Sequence, residues 1–124
     1  MFLDKLKVID EVELELDLLI EDKEYGVRHC EWLEVGGGIY LSVQASHLHY
    51  CIPRRLTKLE NYTHFELALI NEGELTYDTS IINDFPRFDE LERYWEYGIF
   101  AYVPKDLVNN LYYWCLENFK EDNF

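Results

Sequence analysis

Long apolar runs are absent from this 124-residue chain: none approaches the roughly 18 residues that a membrane-spanning helix requires. The first stretch, MFLDKLKVIDEVELEL, carries acids where a signal peptide needs an apolar centre, so export is not expected and a cytoplasmic setting is. Cysteine is scarce and odd in number. Cys30, Cys51 and Cys115, without an export signal, are expected to be reduced and buried. Neither C-x-x-C nor H-E-x-x-H occurs, which removes the commonest metal frameworks, and no cofactor is expected. Gly36-Gly37-Gly38 is not followed by the Lys and Ser/Thr of a phosphate-binding loop. No repeat, low-complexity tract or linker interrupts the chain, so residues 1–124 are expected to form one domain.

The largest deficit is in basic residues. Eleven Lys and Arg stand against 25 Asp and Glu, a net charge of −14. Residues 1–24 hold nine acids and three bases, residues 25–70 four of each, and residues 71–124 twelve acids and four bases. A neutral middle therefore carries two negative flanks, which repel nucleic acid and anionic membranes and attract a basic protein surface. The same charge is also what a merely soluble acidic protein carries.

What remains is a well-furnished core, with 48% hydrophobic and 16% aromatic residues. Val27 to Arg55 reads as the organising stretch, two β-rich arms around the three glycines. In the second arm Ile39, Leu41, Val43 and Ala45 share one face; Tyr40, Ser42, Gln44 and Ser46 share the other. Before it, Leu3, Leu6, Ile9 and Leu16 keep helical spacing, while Val12, Leu14, Leu16 and Leu18 alternate with acids; a short helix over 2–9 and a strand over 11–20 are expected. After it come a strand over 62–70, a turn at 71–74 and a strand over 75–82. Asp84 and Pro86 open a helix running towards Gly98, Ile99 to Val103 is a short apolar strand, and Pro104 starts a second helix. Leu107, Val108, Leu111, Trp114, Cys115 and Phe119 form that helix's apolar stripe. The expected class is α+β: an antiparallel sheet of about four to five strands around a 27–52 hairpin, with two C-terminal helices packed on it.

Two kinds of site compete. His47, His49 and Cys51, spaced two apart, would share one face of a strand and suit a metal or thiol enzyme, with Cys30 or His29 as a neighbour. Ordinary packing explains the same pattern. The other kind is a partner-binding surface of acids and aromatics. Glu11, Glu13, Glu15 and Asp17 would line one strand face about 7 Å apart, close to the spacing of phosphates along DNA. Asp89, Glu90, Glu92, Tyr94, Glu96 and Tyr97 mix carboxylates with residues that often anchor interfaces. Arg54 and Arg55 are the main basic cluster, expected to pair with acids.

SVQASHLHYCIPRR followed by YTHFELAL resembles small proteins carried by phages and prophages of Gram-positive bacteria. By size and charge the chain is similar to phage anti-defence proteins, including anti-CRISPR and anti-restriction inhibitors, several of which mimic DNA. The resemblance implies a non-enzymatic inhibitor of a host nucleic-acid-binding enzyme and transfers no functional residues. An immunity or antitoxin protein that neutralises a basic toxin nuclease would use the same electrostatics. The expected assembly is a monomer, or a twofold dimer joined near Tyr40, Gln44 and His49 with the acids outward.

Overall fold

The computed structural model describes residues 1–13 and 26–119. Among the described residues two antiparallel sheets and two α-helices make an α+β fold. β1 (Val8–Glu13) and β2 (Gly26–Cys30) form a ribbon of their own. The main sheet contains β3 (Leu33–Gly36), β4 (Ile39–Gln44), β5 (His64–Asn71), β6 (Glu74–Leu75), β7 (Trp95–Glu96) and β8 (Ile99–Pro104), in the order β3-β4-β5-β8-β7 with β6 beside β5. α1 (Phe88–Glu92) precedes β7, and α2 (Lys105–Asn118) follows β8 directly.

The alternation in β4 does what its pattern requires. Ile39, Leu41, Val43 and Ala45 are all buried, level with Leu67 and Leu69 of β5. Phe100 and Val103 of β8 continue that face, and α2 covers it with Leu107, Val108, Leu111 and Cys115. Each such apolar side chain is worth about 1.5–3 kcal/mol relative to exposure. Phe2 closes one side of this core, its ring edge-on to Phe65 at 5.2 Å and its N–H donating to Asn109 Oδ1 at 3.0 Å.

β5, not the glycine hairpin, is the centre of the sheet, standing third in the order β3-β4-β5-β8-β7 between β4 and β8. The expected 27–52 hairpin splits after Cys30. Its first half turns away to pair with β1, and only β3 and β4 meet across Gly37-Gly38. A buried side chain bridges the split: Gln44 accepts from Cys30 N–H at 2.8 Å and donates to Cys30 C=O at 2.9 Å, in place of a backbone pair.

Three further expectations are corrected, and a fourth lies mostly outside the described residues. The helix over 2–9 is a single 3-10 turn at Phe2–Lys5, since Val8 onwards is drawn into pairing with β2. Of the strand over 11–20 only the beginning is seen, within β1; residues 14–20 lie outside the described part. The strand over 75–82 stops at Leu75, because Asp78 accepts from Ser80 N–H and caps a 3-10 turn that drives Ile82 into the core. The helix towards Gly98 shrinks to the five residues of α1. Trp95 and Glu96 pair instead with Phe100 and Ile99, which sets the Trp95 ring 4.9 Å from that of Phe100.

Candidate functional site

One end of the sheet is built from turns that place acids around exposed aromatic rings. Glu72 and Gly73, joining β5 to β6, both have positive φ (54° and 82°), as do Tyr97 and Gly98 joining β7 to β8 (49° and 98°). Two consecutive positive values are what the tight primed hairpin turn requires. An aromatic residue seldom takes that conformation, which costs on the order of 1–2 kcal/mol. Here it holds the Tyr97 side chain clear of the protein, 95% exposed.

Tyr77 lies against this turn and is itself 68% exposed. Its ring fills the space where a Cβ on Gly98 would stand, so only glycine permits both the φ and the contact. Glu96 is adjacent, Asp78 follows Tyr77, and Glu72, Glu74 and half-exposed Leu75 belong to the neighbouring β6 hairpin. No Lys or Arg occurs between residues 71 and 86. Hydrogen bonds from Ser80 hold the Asp78 carboxyl below its ordinary range, keeping it ionised.

The expected acidic residues are placed unevenly. Asp89, Glu92 and Glu96 are exposed. Glu90 is spoken for: Arg87 grips it with two hydrogen bonds of 2.8 Å and also reaches Asp106 at 3.1 Å, tying α1 to α2 and lowering the Glu90 pKa. Tyr94 is half-buried against the core. Glu11 accepts from Arg28 Nε at 3.1 Å. Glu13 stands opposite Gly26 at the end of β1, while Glu15 and Asp17 lie outside the described residues. Missed from the sequence were Glu72, Leu75, Tyr77 and Asp78. The Glu72-Gly73 turn was a usable signal for the first two; that Tyr77 lies on Gly98 was not legible.

His47, His49 and Cys51 are not brought together on one strand face, because residues 45–51 are irregular. His47 Nδ1 lies 3.4 Å from Arg54 C=O. Cys51 is buried, its thiol directed at the carbonyls of Ser46 and Pro53, and burial pushes it up to about 11. Burial likewise pushes Cys115 up to about 12 and raises Cys30, the opposite of what an activated nucleophile needs. His49 turns inward. Its Nδ1 is 2.6 Å from Ser46 Oγ, its Nε2 is 3.9 Å from Glu66 Oε2, and its ring meets that of His29 edge-on at 5.9 Å. Burial, with His29, Arg28 and Arg54 nearby, lowers His49 to about 4, and burial raises Glu66. Ser46 has no exposed surface, so this group cannot present a hydroxyl to a substrate. Among the described residues no group of three or more His, Cys, Asp or Glu is set to hold a metal ion.

No family model matches the sequence, and no curated protein or solved structure matches it either.

Proposed function

We propose that this chain is a non-catalytic capture protein. In this reading it binds the basic, nucleic-acid-binding surface of a host defence enzyme in the host cytoplasm, as phage anti-defence inhibitors do. The observation that carries this is Tyr97, 95% exposed on a turn that fixes its direction, beside Glu96 and Tyr77 on a chain of net charge −14. An arginine on the partner would stack on the tyrosine faces while the neighbouring carboxylates accept its N–H donors. A rigid ring gives contact area at little entropic cost, and long-range attraction to a basic channel speeds encounter. The carboxylates would stand in for phosphates.

The test is capture at low salt from a lysate of the host, followed by competition. The recovered protein is expected to bind nucleic acid, and added duplex DNA or guide RNA is expected to displace this chain from it. Tyr97→Ala combined with Glu96→Lys should weaken capture at least about tenfold, the loss of one stacked, hydrogen-bonded arginine. Circular dichroism should stay that of the parent. Capture that nucleic acid does not compete with, or that survives both substitutions, overturns the reading.

A further inference from the structure

The opposite end of the sheet carries the complement of the acidic end. Leu48, Tyr50 and Ile52 are exposed at 54%, 38% and 43%, while Cys51 is buried. This apolar ridge is held firmly. Ile52 bridges to His64 at the start of β5, Tyr102 N–H donates to Tyr50 C=O at 3.0 Å, and the Tyr50 and Tyr102 rings lie 5.8 Å apart. Tyr102 reaches this position through a bulge opposite Glu66, at φ 56°. Arg54 stacks over Tyr50 at 5.0 Å, and Lys58 is exposed on the same loop.

β5 runs between the ends, from His64 beside the ridge to Asn71 beside Glu74, which separates them by roughly 25 Å. One end is therefore aromatic and acidic, whereas the loop over 53–60 at the other holds three bases and one acid beside exposed apolar side chains, with Glu66 half-buried beneath. Of Tyr40, Gln44 and His49, near which a twofold contact was expected, Gln44 and His49 turn inward, while Tyr40 is half-buried beside exposed Trp32.

We propose that the partner of the ridge is a second copy of this chain, joined head to tail. Leu48, Tyr50 and Ile52 of one copy pack on Tyr77 and Tyr97 of the next, and Arg54 meets the carboxylates of Glu96 and Asp78. The contact is heterologous, each copy using two different surfaces, so it builds chains or closed rings rather than a twofold pair. Net charge of −14 opposes the approach at long range, but that repulsion is screened beyond about 8 Å at physiological ionic strength while the local pairs are not. The acidic end is covered in such an assembly, so self-association and capture of a basic partner compete for it.

Light scattering across a dilution series tests this with the chain alone and needs no other partner. The average mass of the parent should rise with concentration. Arg54→Glu and Tyr97→Ala should each abolish the rise, and Leu48→Glu serves in place of Arg54→Glu if that variant loses its native circular dichroism. An equimolar mixture of the Arg54→Glu and Tyr97→Ala variants should then double in mass and stop, since one intact acidic end meets one intact ridge. A parent that stays monomeric throughout overturns the proposal. So does a variant that associates like the parent. A mixture that stays monomeric would also overturn it, because a twofold contact cannot be rescued in that way.

Discussion

At the scale of single residues, His49 makes stability depend on pH. The unfolded chain takes up a proton on it below about 6.5, but the folded protein does so only near 4, because burial disfavours the imidazolium. The unfolded state thus binds more protons between those values, and stability falls as pH drops from 6.5 to about 4. The upper limit is about 3 kcal/mol, little reduced by solvent since the side chain is only 12% exposed. Glu66 works the other way: its raised pKa means the folded protein gains a proton first, which recovers part of the loss just above its ordinary range. Urea midpoints measured across this window should decline for the parent and decline less for His49→Gln. A flat profile for the parent would show that the imidazole is not held neutral by the fold.

Among elements, the β1–β2 ribbon depends on one buried cation. Arg28 donates from Nε to Glu11, from Nη1 to Ala45 C=O at 3.3 Å and from Nη2 to Thr57 C=O, and its guanidinium lies 5.9 Å from the Tyr62 ring centre. Three separate parts of the chain meet on it: β1, the end of β4 and the loop before β5. Arg28→Ala leaves two carbonyls without this donor and should cost about 2–4 kcal/mol. The amides of Gly26 to Cys30 should then exchange with solvent markedly faster, while those of β5 at the sheet centre change least. Arg28→Lys keeps the charge but has one ammonium for three directions, so it should fall between. Uniform acceleration over β2 and β5 alike would mean the ribbon and the main sheet open as one unit.

For the whole molecule, in the proposed reading, charge decides how it meets a partner. Capture of a basic surface by carboxylates is screened by salt, so affinity should fall steeply and almost linearly with log salt concentration, as it does for phosphates. The slope should shrink in Glu96→Lys, whereas Glu90→Lys should alter it less than loss of an exposed carboxylate would, because Glu90 is already neutralised by Arg87. Stopped-flow measurement should place most of the salt effect in the association rate. Affinity unchanged by salt would mean that apolar contact alone carries the binding.

The sequence by itself determined the α+β class, the inward face of β4, the apolar stripe of α2 and the two negative flanks. Those features depend on local periodicity and composition, which are complete within a dozen residues or in a simple count. Only the tertiary structure decided that β5 is central, that the first arm of the hairpin leaves to pair with β1, and that Trp95-Glu96 are strand. For β2 a distant partner, Val8 to Glu13, outweighed local preference, and for Trp95 and Glu96 the tight turn at Tyr97-Gly98 set the pairing with Phe100 and Ile99. The candidate site divides along the same line. Glu96 and Tyr97 were legible as an acid beside an aromatic, and Arg87 and Glu90 stand three apart, a spacing the sequence displays. That Arg87 also reaches Asp106, and that Tyr77 rests on Gly98, joins residues some twenty apart, and no local pattern records such contacts.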